Sequence, residues 1–283
     1  IQRNDHLLCL GGGASSDFAG LVAALLLRGI KWSVIPTTIL SLVDASIGGK
    51  VAINSESGKN LIGLFNPPQR IFWVKEFLST LPPRELRSGT CEIIKYFFID
   101  PTLQLKSILN ENSSQQLIGF DSIMKICAEI KVAVVSNDPH ETKQTGRNIL
   151  NFGHTFGHGL EKMYSDLSHG ECVLWGIEMI LNFQKELYQS DPLKYPFNLK
   201  LIEDFKKLKI FFSVSNFSEE MTKNIDKMKN SMDLFLNFLL KDKKNNQQGE
   251  LTFIFCQDWG QMYSVNIEIE KVENFIRTYL SCQ

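Results

Sequence analysis

Between Leu7 and Pro36 an apolar run, a glycine triplet, a helical stretch and a second apolar run follow one another without a break. Leu7-Leu8-Cys9-Leu10 reads as a short buried strand that enters Gly11-Gly12-Gly13. Ser15-Ser16-Asp17 is the expected cap of a helix from about Phe18 to Arg28, which Gly29 closes. Trp32-Ser33-Val34-Ile35 then forms a second strand ending at Pro36-Thr37-Thr38. Strand, helix and strand in this order imply parallel pairing with a right-handed crossover, which puts the glycine turn and both threonines at one carboxyl edge of a sheet. Glycines let the backbone approach a pyrophosphate, and a helix N-terminus offers N–H groups and partial positive charge. Three glycines also make a plain flexible turn, so the triplet alone does not decide between the two.

A third strand, Ile71-Phe72-Trp73-Val74, precedes the turn Leu81-Pro82-Pro83. Beyond it the pattern changes to helical stretches at Arg84–Phe98, Gln116–Ser136, Arg147–Tyr164, Gly170–Tyr188 and Ile202–Lys209. Leu251-Thr252-Phe253-Ile254-Phe255 reads as a late strand and Ile267–Leu280 as a closing helix. The expected fold class is therefore α/β followed by all-α: a Rossmann-like nucleotide domain over residues 1–81 and a mainly helical domain over 82–283. Lys206-Lys207 and the run from Lys241 to Asn246 read as solvated surface.

A formal net charge of −1, with 43% hydrophobic and 22% charged residues, gives no global bias toward nucleic acid or membranes. No apolar run reaches the roughly 18 residues a membrane span needs. Six scattered cysteines without a CxxC pair argue against a zinc ribbon or a disulfide scaffold and fit reduced thiols in a cytosolic enzyme. A chain that opens on Ile1 is expected to lack upstream sequence.

The chemistry concentrates in two places. Three of the five histidines, His154, His158 and His169, fall within sixteen residues, with Gly153, Gly157 and Gly170 beside them. His154 and His158 stand four apart, close enough on a helix face for both rings to approach one ion. A catalytic zinc site takes about three protein ligands and leaves a position open, and a fourth candidate must come from elsewhere. Glu92 supplies a carboxylate ligand if its helix face turns toward His154; otherwise Glu92 and Lys95 are a plain i,i+3 ion pair. The peptidase pattern HExxH is absent, because Thr155 stands where Glu is required. The second place is the glycine-rich loop from Val43 through Asp44, Lys50, Lys59 and Asn60 to Gly63, which follows the nucleotide edge and whose lysines suit an anion.

Taken with Leu81-Pro82-Pro83-Arg84-Glu85-Leu86 and Leu150-Asn151, these motifs occur in an order that closely resembles the 3-dehydroquinate synthase family. The resemblance covers nearly all the chain to about residue 180 and implies an NAD- and metal-dependent lyase. Its substrate is 3-deoxy-D-arabino-heptulosonate 7-phosphate, and its products are 3-dehydroquinate and phosphate. By that resemblance Glu92, His154 and His169 hold one divalent metal, zinc or cobalt. Gly13, Ala14, Ser15, Ser16, Asp17, Thr37, Thr38, Lys50, Lys59, Phe77, Leu78, Ser79 and Thr80 contact NAD. Asp44, Lys95, Lys131 and His158 act in catalysis, while Lys50, Asn60, Arg147 and Asn151 bind the substrate with Lys243 or Lys244 near its phosphate. Arg28 reaches the phosphate from a neighbouring subunit, which implies a homodimer.

Two departures stand out. Ser16 replaces a glycine of the family pattern, which puts NAD affinity in question, and the segment from Asp138 to Arg147 is about two residues longer than the family's. Other readings are a sister sugar phosphate cyclase making a cyclitol, a metal-dependent polyol dehydrogenase, and a non-catalytic metal-binding or scaffolding homologue. Arg147 and Asn151, suited to a substrate carboxylate, argue against the first.

Overall fold

The glycine triplet does turn a strand into a helix. The computed structural model describes residues 1–56, 58–111, 119–143, 146–215, 228, 231–242 and 249–281. In it β1 (His6–Gly11) pairs in parallel with β2 (Lys31–Pro36), and α1 (Gly13–Leu25) crosses between them. The helix begins earlier than its serines suggest: Gly12 is the N-cap, and no side chain caps it. Ser15, Ser16 and Asp17 lie inside the first turns instead. Leu27 and Arg28 adopt left-handed φ values of 52° and 69° before Gly29, a tight reversal that ends the helix.

The predicted strand at residues 71–74 shrinks to a single bridge, Ile71 to Val34. Pro67 and Pro68 precede it, and the stretch meets β2 through backbone bonds from Gln69 to Trp32, from Val34 to Arg70 and from Phe72 to Val34. The loop expected between residues 43 and 63 is largely a hairpin, β3 (Lys50–Ser55) against β4 (Gly58–Phe65), paired antiparallel. Val51 packs from this hairpin into a core of Cys9, Leu21, Ala23, Trp32 and Val34.

The remaining helices are α2 (Pro83–Ile99), α3 (Gln104–Glu111), α4 (Phe120–Asn137), α5 (His154–Met163), α6 (His169–Ser190), α7 (Lys200–Phe211), α8 (Met232–Asp242) and α9 (Ile269–Ser281). Pro83 suits the first turn of α2, where its missing N–H costs nothing. The long helix expected from Arg147 to Tyr164 is two pieces: a 3-10 turn over Arg147–Asn151, then α5. Gly153, at φ +83°, makes the break. The late strand extends to β5 (Glu250–Asp258) and has an antiparallel partner, β6 (Gln261–Glu268).

The chain divides into two compact units, Ile1–Ile93 with Leu117–Arg147, and Ile94–Gln116 with Asn148–Gln283. A single cut near residue 81 does not describe this division. α4 belongs to the first unit although it follows the double proline, and α2 runs through the boundary. The second unit has an aromatic core, in which Phe156 lies 5.2 Å from Phe253 and 5.9 Å from Phe275 between ring centroids. Gln184, fully buried, donates to the carbonyls of Pro196 and Cys256 and accepts from the Cys256 N–H, which ties α6 to β5. Among the described residues no helix is long and apolar enough to cross a membrane.

Candidate active site

In the second unit the backbone forces the histidines together. α5 and α6 cross at glycines: a Cβ on Gly176 would stand 2.0 Å from the carbonyl oxygen of Gly153, and one on Gly153 would meet the Val173 carbonyl at 2.8 Å. This close approach seats His154 in the first turn of α5 against the start of α6, where His169 is the first residue. The start of α6 is fixed by a reciprocal cap. Ser168 accepts from the Glu171 N–H, while the Glu171 carboxylate accepts from the Ser168 N–H at 2.7 Å. The S-x-x-E spacing of Ser168 and Glu171 is the sequence signal of this cap.

The rings of His154 and His169 lie 5.5 Å apart, and His158 packs edge-on to His154 at 5.3 Å. Nδ1 of His154 donates to the Phe152 carbonyl at 3.1 Å, which puts that ring's lone pair on Nε2. Nδ1 of His169 meets the Glu161 carboxylate at 3.4 Å.

The C-terminal half of α2 is anchored in this unit. Phe98 stacks on Trp259 at 5.2 Å, and its carbonyl accepts from the Gly260 N–H. The same unbroken helix carries Glu92, fully buried, and Lys95 one turn on, also buried, with Nζ 5.2 Å from the Tyr96 ring centre. Glu92, His154 and His169 each offer one ligand atom, and all three atoms lie within 4.8 Å of one another. One carboxylate and two imidazoles at this spacing fit a divalent ion of the zinc or cobalt type, with room for a further ligand. His158, four residues on from His154, is not in this group; His169 from the next helix joins His154. Asn151 ends the 3-10 turn three residues before His154, half-buried.

In the first unit the polar residues meet by ion pairing. Lys131, buried on α4, donates to Asp44 Oδ1 at 2.8 Å and to the Asp44 carbonyl at 2.6 Å. Asp17 lies close enough to feel this lysine: burial raises its carboxyl to about 6, and the Lys131 charge opposes the rise. Asp17, Lys50, Asn60 and Phe65 line a cleft of about 270 Å³. Lys50 pairs with Glu141, and Asn60, at φ +55°, donates its N–H to Asn54. Lys59 is exposed on β4.

The buried Arg147 is held at one nitrogen, Nη1, by the carbonyls of Gly48 and Pro139, each at 2.9 Å. Gly48, at φ +107°, holds a backbone conformation that favours glycine, and a Cβ there would also lie 2.5 Å from Nη2. The segment before Arg147 is wound about Asp138, whose carboxylate accepts from the N–H groups of Thr142, Lys143 and Arg147. These bonds, Arg147's first among them, hold the Asp138 carboxyl down at about 2. The Asp138 hub and the Lys50–Glu141 pair lie outside what the sequence pattern shows, because contacts made by a loop leave no periodic signal.

At the nucleotide edge Ala14 and Ser15 are exposed on the uncapped first turn of α1. The Ser16 hydroxyl, the departure that puts NAD affinity in question, is buried and donates to the Gly13 carbonyl at 2.8 Å. The N–H of Thr37 donates to the Gly11 carbonyl, and Thr38 Oγ1 accepts from the Ser41 N–H. Phe77, Leu78, Ser79 and Thr80 occupy a 3-10 turn over Lys75–Thr80, and Arg28 is exposed in its left-handed turn. Lys243 and Lys244 lie outside the described residues.

The fold is that of the sugar phosphate cyclases. A crystal structure of 2-deoxy-scyllo-inosose synthase, complexed with carbaglucose-6-phosphate, NAD+ and Co2+, superposes with a TM-score of 0.80 at 24% identity, over 98% of this chain and 75% of that one. Within that class, residues 1–88 match the family description 3-dehydroquinate synthase N-terminal, and residues 89–245 match 3-dehydroquinate synthase C-terminal. The 3-dehydroquinate synthase of Alkaliphilus metalliredigens is 36% identical over 99% of this chain and 75% of its own length. That of Francisella tularensis subsp. holarctica is 37% identical over 97% of this chain and 73% of its own length. The chain belongs to the 3-dehydroquinate synthase family, whose members are phosphate-eliminating cyclases of the lyase class.

Proposed function

We propose that this chain converts 3-deoxy-D-arabino-heptulosonate 7-phosphate into 3-dehydroquinate and phosphate, with NAD and a zinc or cobalt ion as resident cofactors. The observation that carries the reading is the convergence of Glu92, His154 and His169 donor atoms within 4.8 Å, from two helices and a third helix far away in sequence. When bound, the cation supplies Lewis acidity toward substrate hydroxyls and the dinucleotide a reversible hydride acceptor.

The chain's own residues do the rest. The N–H groups at the start of α1 take the dinucleotide pyrophosphate, aided by Thr37, Thr38, Lys59 and the turn Phe77–Thr80. The Ser16 hydroxyl, turned into its own helix, leaves that approach clear. Arg147, with Nη1 spent on two carbonyls, offers its other N–H groups to the substrate carboxylate, and Asn151 adds an amide. Asp44 and Lys131 form a fixed pair that orients substrate hydroxyls, and Lys50, Asn60 and Lys95 complete the polar contacts. His158, half-buried beside His154, moves a proton during departure of phosphate. Exposed Arg28 completes the phosphate site of a second copy, which makes the active form a homodimer. The described cysteines are buried thiols, which suits a cytoplasmic enzyme.

The test is phosphate release from the heptulosonate phosphate, with and without chelator and NAD. Release that needs both cofactors is the expected result, and absence of release under complete conditions would reject the reading. Because the fold is shared with a cyclitol-forming enzyme, sedoheptulose 7-phosphate and glucose 6-phosphate belong in the same assay, and both are expected to remain unconverted.

A further inference from the structure

We propose that Glu161 is the positioning residue of the metal centre, acting through His169; this rests on the reading of Glu92, His154 and His169 as ligands. α5 carries His154 in its first turn and Glu161 seven residues on, about two helical turns, so both side chains leave the same face. One helix thus supplies a ligand and also reaches the ligand on the next helix. Glu161 Oε2 stands 3.4 Å from Nδ1 of His169. An anionic acceptor there keeps the proton on Nδ1 and the lone pair on Nε2, and makes the ring a better donor to a cation.

The two histidines differ in what holds them. His154 is 8% exposed, wedged where α5 and α6 touch, with its Nδ1 on a backbone carbonyl that no substitution removes. His169 has a side chain 30% exposed, so packing leaves its ring freer to rotate. The backbone under it is fixed by the Ser168–Glu171 cap, in which Glu171 is turned to Ser168. Glu171 Oε2 accepts from both the N–H and the hydroxyl of Ser168, each at 2.7 Å. Glu161 is the carboxylate that addresses the imidazole itself, at 3.4 Å.

The experiment is a titration of the metal-free full chain with cobalt, read by the visible absorption bands of the bound ion. Glu161→Ala should weaken cobalt binding by about 10- to 100-fold, the usual cost of losing such a partner, and Glu161→Gln by less, since the amide oxygen still accepts. Nitrogen NMR of the zinc-loaded protein should show the His169 proton on Nδ1 in the parent and a changed tautomer or ring environment in Glu161→Ala. Thermal unfolding of the metal-free Glu161→Gln protein should match the parent. Cobalt affinity of Glu161→Ala within about twofold of the parent would overturn the proposal, as would a loss of affinity accompanied by an equal loss of metal-free stability in both variants. His154→Ala separates the two levels of inference. If it also binds cobalt normally, the metal centre itself is misassigned; if it loses cobalt while Glu161→Ala keeps it, only the role of Glu161 falls.

Discussion

The second unit holds its functional side chains by packing, whereas the first holds them by charge. His154 is placed where two helices come into backbone contact at Gly153 and Gly176, behind which Phe156 packs among Phe183, Phe253 and Phe275. In the first unit Lys131 is pinned by Asp44, Lys50 by Glu141, and the segment before Arg147 by the Asp138 carboxylate. Its hairpin strand β4 is exposed over nearly its whole length, with Leu61 and Ile62 facing solvent. A metal needs donor atoms fixed to fractions of an ångström, which a close-packed interior supplies. An anionic substrate needs cations that are present and oriented, which ion pairs supply while leaving room for the ligand.

The sharpest way to break this contrast is to remove a ligand. His154→Ala should lower phosphate release by about 10³-fold, since the several kcal/mol of Lewis-acid stabilisation convert at about 1.4 kcal/mol per decade. Next in size is Gly176→Ala, whose methyl would overlap the Gly153 carbonyl at 2.0 Å. Overpacking of this kind costs about 3 kcal/mol. Melting temperature and metal affinity should fall together, because the same contact sets both; a loss of stability with unchanged metal affinity would separate them.

Lys131→Met tests the other half. Removing one member of a largely buried ion pair costs about 3 kcal/mol. Denaturant unfolding should show that loss while cobalt affinity stays at the parent value, since Lys131 belongs to the charge-held unit. The smallest effect is on Asp17. Its folded pKa of about 6 lies above the unfolded value near 3.9, so ionising it opposes folding. That cost is absent below about pH 4, grows between pH 4 and 6, and is complete above about 6. Asp17→Asn should therefore raise the melting temperature at pH 8 and leave it unchanged at pH 4; the opposite trend would show that Asp17 is held in its charged form.

The sequence made the strand, glycine turn and helix legible because apolar spacing and a glycine triplet are local signals. It did not reveal that α1 starts at Gly13, since the helix is capped by backbone geometry at Gly12 rather than by Ser15 or Asp17. The break at Gly153 was hidden for a related reason: the apolar period runs on through the 3-10 turn, and only the left-handed φ shows that the helix restarts. The β3–β4 hairpin was hidden because nearly every residue of β4 is exposed and no inward alternation marks it. Of the site, His154 and His169 were visible as a cluster, while Glu92 was tied to them by family resemblance and not by spacing. Glu161 was missed although it stands at the right helical interval, because its partner lies on another helix.

The most direct measurement is a crystal structure of the cobalt-loaded protein with anomalous data at the cobalt edge. The account predicts one strong peak bonded to the Glu92 carboxylate and to Nε2 of both His154 and His169, with Glu161 on the far side of the His169 ring. A peak ligated by His154 and His158 without Glu92, or one away from both His154 and His169, would contradict it.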